Sequence, residues 1–328
     1  MKIIRFLCYV IVAASLFCGC KKESPVVKKD FSKLFNDGKV KADSLLTVNA
    51  DLFKKISSLH PSGVTVANQG SASQLKSAEN SGYPGQVFRL ETYATLNGGT
   101  YLYTVTYYYY DNLSRLYEEI ILTNPNNTGN FSLSGALFYT YSTDPSYPYD
   151  IAEKDYYDQN WSLVSKQKFE YSDPSDGTKI SAVIKSDNND YSVLFTSFNY
   201  DLTGQLQSTE NWPLPSGNLT RTEYSYDALG NIIRIFWHDV NGPNRTLGMF
   251  LYTNGQLSTS RIYSISATRN FLVNSTYVSY SPNPIVICYN NLQSDGSFET
   301  ATLYRYDLTK NGNYFDPLNP IDPHLLNF

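Results

Sequence analysis

Short segments in which apolar and polar residues alternate cover most of the chain after residue 85, and they predict β-strands. Val87 to Leu96 alternates in part, and Asn97-Gly98-Gly99 is a strong turn sequence. In contrast, the apolar residues of Val40 to Leu59 recur at three- and four-residue steps, which predicts one amphipathic helix that ends before Pro61. We expect this helix to pack on one end of the sheet as a cap.

A tyrosine-containing signature recurs eight times, at steps of 26 to 31 residues. The anchor tyrosines are Tyr110, Tyr141, Tyr171, Tyr200, Tyr226, Tyr252, Tyr280 and Tyr306. In each copy a strand ends in Tyr, a turn follows, often Asp-x-x-Gly, and an aliphatic residue opens the return strand. Asp can hydrogen-bond nearby backbone amides, and Gly adopts the positive φ that such a turn needs. A fixed period of this kind predicts stacked supersecondary units.

The pattern predicts an all-β fold, a long antiparallel meander of repeated β-hairpins with one N-terminal helix. We expect about sixteen to eighteen strands over residues 86–316, arranged as a curved sheet or an open rolled barrel, with the anchor aromatics on the packed face. Residues 40–85 are predicted to be the helix and a linker, and residues 317–328 a Pro-rich tail. A terminal Phe328 also occurs in outer-membrane barrels, but no alternating strand precedes it here, so we do not expect a spanning barrel.

The first residues have the features of an export signal. Lys2 and Arg5 form a short positive region, and Ile3 to Phe17 is a mostly apolar segment of about fifteen residues, which is too short to cross a bilayer. The run ends in Gly19-Cys20, which resembles the lipobox of bacterial lipoproteins. That resemblance implies a signal peptide over residues 1–19, lipidation of Cys20, a tether over residues 20–39 and an outer-membrane location facing the periplasm or the cell surface. An ordinary secretory signal is the alternative.

The repeats resemble the YD repeats of Rhs-family shells, through Tyr200-Asp201-Leu-Thr-Gly204 and Tyr226-Asp227-Ala-Leu-Gly230. Together with the lipobox, the chain resembles uncharacterised surface lipoproteins of Bacteroidetes type with degenerate YD-like units. The resemblance covers roughly residues 101–316 and implies the fold. It does not imply the encapsulating role of the large shells, because eight units in a small chain cannot enclose a toxin domain.

Composition excludes several classes of function. Lys and Arg total 26 against 30 Asp and Glu, and loss of Lys2 and Arg5 would make the chain more acidic, so a general nucleic-acid binder is excluded. Once residues 1–19 are removed and Cys20 is lipidated, only Cys288 remains, within an apolar strand, and it predicts a buried small hydrophobe rather than a reactive thiol or a metal site. We expect no cofactor and no metal.

Catalytic candidates are few. His60 ends the predicted helix, His324 lies in the tail, and the His238-Asp239 pair is awkward because adjacent strand residues point to opposite faces. The paired carboxylates are Glu118-Glu119, Asp173/Asp176 and Asp187/Asp190, and we interpret all of them as solvated turn or surface groups. Asp187 to Asp190 has oxygens enough for a weak Ca²⁺ contact, but a hairpin turn is the preferred interpretation.

Aromatic residues provide the remaining functional indication. Exposed aromatic rows bind sugars or protein segments, whereas cross-strand tyrosines also simply stabilise a sheet. Trp212, beside Pro213, is the predicted exposed anchor, and Trp212, Trp237 and His238 are the candidate ligand-binding residues. We expect Trp212 and Trp237 at similar heights on adjacent hairpins. The predicted function is a lipid-anchored, non-enzymatic envelope module that binds a glycan or a partner protein. The alternatives are a polysaccharide hydrolase and a structural scaffold of an envelope complex.

Overall fold

A computed structural model describes residues 31–49, 86–96, 98–172, 179–266, 270–280, 285–293 and 297–307. Helix α1 spans Ser32–Val48. The strands are β1 Gln86–Leu96, β2 Gly99–Tyr110, β3 Leu116–Thr123, β4 Ser132–Tyr141, β5 Ile151–Asp158, β6 Leu163–Tyr171, β7 Ile180–Asp187, β8 Ser192–Tyr200, β9 Leu206–Pro213, β10 Thr220–Tyr226, β11 Ile232–Asp239, β12 Arg245–Thr253, β13 Gln256–Ile265, β14 Asn270–Tyr280, β15 Ile285–Asn290 and β16 Thr300–Asp307. The signal segment, Cys20, His60, His324, the Asp173/Asp176 pair, the linker and the tail lie outside the described residues.

The sixteen strands form one closed barrel in which every strand pairs antiparallel with its neighbours in sequence. The first strand closes the ring by pairing with the last, with Thr92 opposite Thr302 and Leu90 opposite Tyr304. The predicted all-β meander of hairpins is therefore confirmed. The ring is closed, whereas the sequence favoured a curved sheet or an open barrel. Closure gives both edge strands a partner and so removes exposed edges.

The barrel interior holds one contiguous apolar cluster to which every strand contributes. Tyr108, Phe169, Phe198, Ile235 and Cys288 are among its buried members. Only the concave side of a closed sheet can bring all sixteen strands together, so this cluster defines the inner face. The anchor tyrosines belong to it, as predicted. Cys288 is buried there as a small hydrophobe, and burial raises the pKa of its thiol to about 12.

The anchor tyrosines link consecutive hairpins at one end of the barrel, here called the anchor end. Each ends an even-numbered strand or lies one residue before its end. In six of them the hydroxyl donates to the backbone carbonyl of an aliphatic residue at the first or second position of the preceding strand. The pairs are Tyr110 to Val87, Tyr141 to Leu116, Tyr171 to Ile151, Tyr200 to Ile180, Tyr226 to Leu206 and Tyr280 to Leu257, at oxygen–oxygen distances of 2.6 to 3.0 Å. The recurring Tyr and aliphatic positions thus form a single repeated contact.

The Asp-x-x-Gly turns at the anchor end are held by side-chain hydrogen bonds. Asp201 Oδ1 accepts from the amides of Thr203 and Gln205, and Asp227 repeats the arrangement. Gly204 has φ +86°, a conformation that costs glycine little. At the opposite end of the barrel, here called the far end, Asp158 and Asp187 make the same contacts.

Helix α1 lies against the outer face of the barrel, over the strands that close it. Ala42 and Leu45 pack with Tyr93, Val105 and neighbours from β1, β2, β3 and β16. The prediction of a helix starting at Val40 is wrong about its start: the helix begins at Ser32, and residues 50–59 of the predicted segment lie outside the described residues. The prediction that it caps one end of the sheet is also wrong, because its apolar side covers the face of the seam.

A buried charged network joins α1 to the seam. Glu91 on β1 accepts hydrogen bonds from Arg305 on β16 and from Tyr93, and it lies 2.9 Å from Arg89 Nε. Arg89 Nη1 in turn lies 2.6 Å from Asp43 Oδ1 on the helix. Two guanidinium groups and two carboxylates therefore balance one another in a place where an unpaired charge would be costly.

Candidate functional site

The three candidate ligand-binding residues do not share one face. Trp237 points inward, where it packs against the core cluster and lies over Gly248 on the next strand. Trp212 and His238 point outward. Trp212 is 45% exposed, which confirms the prediction of an exposed indole. The two tryptophans lie on adjacent hairpins, as predicted, but their rings are on opposite faces of the barrel wall and cannot line one site.

Trp212 lies in a mixed aromatic and charged surface on the outer face of β8 to β11, which we call the Trp212 face. Its members are Phe195, Glu210, Trp212, Arg221, Glu223, Phe236 and His238. The strand register brings them together, because Trp212 is directly opposite Phe195 and Arg221 is directly opposite both Glu210 and His238. Glu223 is opposite Phe236 in the adjoining row. Directly opposed residues in antiparallel strands have side chains close enough to touch.

The charged groups of this face contact one another loosely. Arg221 Nη1 is 3.9 Å from Glu210 Oε1, and its Nε is 3.7 Å from Glu223 Oε1. His238 Nε2 is 3.6 Å from the same Glu223 oxygen. These separations exceed hydrogen-bond length, and Arg221 Nε makes no hydrogen bond although it is buried. The face therefore retains donors and acceptors that a ligand can use.

Aromatic rings border these charges on both sides. The His238 ring stacks on Phe236 with centroids 5.1 Å apart, which fixes the imidazole against the strand. Beyond Trp212, towards the far end of the barrel, Val193 and Leu214 are exposed and joined by the Leu214 amide, which donates to the Val193 carbonyl. Val193 and Leu214 therefore form an exposed apolar margin beside the charged residues of the Trp212 face.

The predicted catalytic carboxylates do not form a pair. Glu118 and Glu119 are neighbours on β3 and point to opposite faces, Glu118 outward and Glu119 inward towards Tyr139, which donates to it. The interpretation of both as solvated surface groups is wrong, because Glu118 is only 2% exposed and Glu119 is half-buried. Asp187 and Asp190 form a hairpin turn, as preferred. The described residues hold no group of three or more His, Cys, Asp or Glu suited to a metal ion.

Burial raises the pKa of two outward carboxyl groups. Loss of water raises the pKa of Glu118 to about 8. Desolvation, together with the charge of Glu153, raises the pKa of Asp155 to about 6. Phe138 on β4 lies between them in register, so the two carboxyls are two strands apart, on the order of 10 Å. His238 hydrogen-bonds only weakly to the backbone of Asp239, at 3.4 Å, so no His–Asp side-chain pair forms.

The charged residues of the Trp212 face were not predicted as site residues, although the sequence contains a signal for them. Glu210 is two residues before Trp212, and Arg221 and Glu223 alternate on the next strand, so the period of two places all of them on one face. Recognising this required the strand register, which the sequence pattern did not supply.

No family model matches the chain, and no curated protein matches it. Among solved structures, the chain is similar to a porin-like protein from Bacteroides uniformis, with 10% identity, a TM-score of 0.44, and coverage of 69% of this chain and 98% of that one. It is also similar to TcdB2-TccC3 without its hypervariable C-terminal region, with 11% identity, a TM-score of 0.26, and coverage of 61% of this chain and 14% of that one. This chain therefore spans a small part of the TcdB2-TccC3 structure.

Within the described residues, no helix is long and apolar enough to cross a membrane.

Proposed function

We propose that this protein is a lipid-anchored module of the cell envelope that binds a polysaccharide through the Trp212 face and does not cleave it. The observation that carries the proposal is the outward indole of Trp212, 45% exposed and directly opposite Phe195, beside the loosely held charges of Arg221 and Glu210. The anchor would be lipid on Cys20, as the lipobox resemblance implies, and acyl chains contribute about 0.8 kcal/mol per buried methylene.

The chemistry of this face suits a sugar. The apolar C–H face of a pyranose ring packs on an indole, and its hydroxyl groups both donate and accept hydrogen bonds. Trp212 and Phe195 offer the aromatic surface. Arg221 offers donors, and Glu210 and Glu223 offer acceptors within the same few ångströms. Because the strands on either side continue the sheet, the ligand can be an extended chain rather than a single unit.

The outer face of β6 to β11 supports a location in water. Lys166, Lys168, Glu210, Arg221 and Arg234 occupy the interior of their strands on this face. A barrel embedded in lipid presents an apolar outer band, and charges there cost several kcal/mol each. We therefore propose that the barrel stands in the periplasm or outside the cell and is held to the outer membrane only by its N-terminal lipid.

A polysaccharide hydrolase is the second candidate, because Glu118 and Asp155 have raised pKa values and lie on one face. Their separation of about 10 Å lies just beyond the range of roughly 6.5 to 9.5 Å for inverting glycosidases. Against it, Glu118 is 2% exposed and cannot reach a substrate on the surface as the strands stand. Binding is therefore the better supported function.

A glycan array with the soluble chain, lacking the lipid, tests the proposal. We expect retention on a subset of polysaccharides and no new reducing ends in the bound samples. Trp212→Ala should lose this retention. Phe88→Ala is the matched control, since Phe88 is an aromatic residue of similar exposure (40%) on β1, far from β9 in the strand order. Release of products would favour the hydrolase, and absence of all binding would contradict the proposal.

A further inference from the structure

A cavity of about 230 Å³ lies inside the barrel, between β3 and β7. It is separate from the Trp212 face, which lies on the outside of the barrel wall. Ile121 and Leu137 form an apolar part of its lining, and Tyr156 adds an aromatic ring that lies over Gly135. The volume is below the roughly 300 to 1,000 Å³ of pockets for drug-sized ligands, so only a small molecule fits.

Polar side chains occupy one cross-strand row of the lining. Lys154 on β5 is directly opposite Gln167 on β6, and Gln167 is directly opposite Lys185 on β7. Neighbouring strands are about 4.8 Å apart, so the two lysines flank the glutamine at adjacent positions. Lys154 Nζ is also 5.5 Å from the centroid of the Tyr139 ring, which positions its ammonium group.

Gln167 carries the clearest indication of a missing ligand. It is 7% exposed and lines the cavity, and its side-chain carbonyl oxygen has no hydrogen-bond partner. A buried amide oxygen without a partner costs about 1 to 3 kcal/mol. A donor group brought by a ligand would satisfy it, and the hydroxyl of Ser165 on the same strand adds a further polar contact.

The charges that face the cavity favour an anion. Among the mid-strand residues that the structure describes on the inner face of β3 to β7, the charged side chains are Glu119, Lys154 and Lys185. Glu119 is close to Lys154, through Tyr139, which donates to Glu119. Asp187, at the end of β7 opposite Ser165, accepts hydrogen bonds from the amides of its own turn. The charged groups directly beside Gln167 are therefore the two lysines, in surroundings where charge is weakly screened.

We infer that this cavity binds a small hydroxycarboxylate of monosaccharide size, such as a uronic acid. The carboxylate would lie between the ammonium groups of Lys154 and Lys185. A hydroxyl group would donate to the Gln167 oxygen, and the ring would pack on Tyr156, Leu137 and Ile121. Neutral sugars of the same size lack the group that the lysines attract and should bind much more weakly.

Calorimetric titration of the soluble chain with glucuronate, and in parallel with glucose, tests the inference. We expect glucuronate to bind one to one and more tightly than glucose by at least about tenfold, since a charge-assisted hydrogen bond is worth that much. Binding should weaken as salt rises. Equal affinity for the two sugars, or no binding of glucuronate, would overturn the inference.

Two variants place the ligand in the cavity. Lys185→Gln removes one ammonium group at a half-buried position and should weaken glucuronate by about tenfold or more. Ser165→Leu fills the cavity with apolar atoms and should abolish binding without lowering the melting temperature. If Lys185→Gln does not fold, Ser165→Leu alone tests whether glucuronate binds in the cavity. Trp212→Ala should leave glucuronate affinity unchanged. Loss in Trp212→Ala, or full affinity in Ser165→Leu, would overturn the inference while leaving the polysaccharide proposal to its own test.

Discussion

Trp212 and Trp237 lie on opposite sides of the barrel wall, although they occupy adjacent hairpins. Trp212 follows its anchor, Tyr200, by twelve residues, and Trp237 follows Tyr226 by eleven. Because side chains in a strand alternate between faces, this difference of one residue turns one indole outward and the other inward. The same residue type therefore has two roles, surface recognition at position 212 and core packing at position 237.

Replacing Trp237 tests the core role. Trp237→Ala should lower the free energy of unfolding by about 3 to 5 kcal/mol, because the indole packs in the core cluster and the cavity left behind cannot collapse fully. Trp212→Ala should lower it by less than about 1 kcal/mol, since the side chain is substantially exposed. Urea unfolding followed by circular dichroism measures both. Equal losses in the two variants would show that the faces have been assigned wrongly.

The seam gives a second stability prediction. Glu91→Gln should destabilise the barrel by about 3 to 5 kcal/mol, because the buried guanidinium groups of Arg89 and Arg305 would lose their shared carboxylate. Asp37→Asn on the outer side of α1 is the control. It breaks only the exposed Lys33–Asp37 pair, which solvent screens, and should leave the stability essentially unchanged. A Glu91→Gln protein as stable as the parent would contradict the role of this network in closing the ring.

The repeated tyrosine contact is testable at one copy. Tyr226→Phe removes the hydroxyl that donates to the Leu206 carbonyl at 2.6 Å but keeps the ring in the core. We expect a loss of about 1 kcal/mol, the usual net value of one hydrogen bond. Tyr191→Phe, at an exposed turn residue outside the repeated contact, should change stability by a few tenths at most. If the two substitutions are equivalent, the contact contributes nothing to stability.

Glu118 predicts a pH dependence of stability. Its pKa in the folded protein is about 8, against an ordinary value of 4.5, so folding favours the neutral carboxyl group. This contribution is fully present below about pH 4.5 and is lost as the pH rises towards 8. Its upper bound is about 5 kcal/mol, at about 1.4 kcal/mol per pKa unit. Glu118→Gln removes the ionisation.

The comparison of parent and Glu118→Gln should therefore change with pH. Urea midpoints at pH 5 and pH 8.5 should show a smaller decline for the variant than for the parent. Other groups, including Asp155, titrate equally in both proteins and cancel in the difference. Parallel declines would contradict the assignment of a neutral, buried Glu118.

The sequence predicts the hairpins because each repeat marks its own strand ends. A Tyr before the turn and an aliphatic residue after it are local signals, and the structure uses them at Tyr200 and Leu206 in one hairpin and at Tyr226 and Ile232 in the next. At the far end, the turns of Asp158 and Asp187 place Trp161 and Asp190 at positive φ, where the pattern predicts Gly, so these turns are not marked in the same way.

Closure of the ring and the position of α1 depend on contacts between residues far apart in the sequence, which a local sequence pattern cannot predict. Arg305 meets Glu91 across more than two hundred residues, and their pairing is visible only when β1 and β16 are adjacent. The start of the helix was not predicted because Asn36, Asp37 and Gly38 separate Leu34 and Phe35 from the later apolar steps. In the structure Gly38 lies so close to the Tyr93 hydroxyl that a larger residue would clash.

The candidate site was predicted only in part, for a related reason. Exposure of Trp212 follows from its place beside Pro213 at the end of a strand, and the structure confirms it. The partners of Trp212, namely Phe195, Glu210 and Arg221, depend on the register of three strands. Register is set by the turns and by bulges such as the one at Asn199 and Tyr200 between β8 and β9, so a shift of one residue changes which side chains meet.

The central claim is that the Trp212 face binds polysaccharide. It is tested most directly by the affinity of the strongest array ligand for four proteins, measured by calorimetry: the parent, Trp212→Ala, Trp212→Phe and Phe88→Ala. We predict that Trp212→Ala weakens binding by about tenfold or more, that Trp212→Phe retains most of the affinity because a ring remains, and that Phe88→Ala binds as the parent does. Unchanged affinity in Trp212→Ala, with all four proteins folded, would contradict the account.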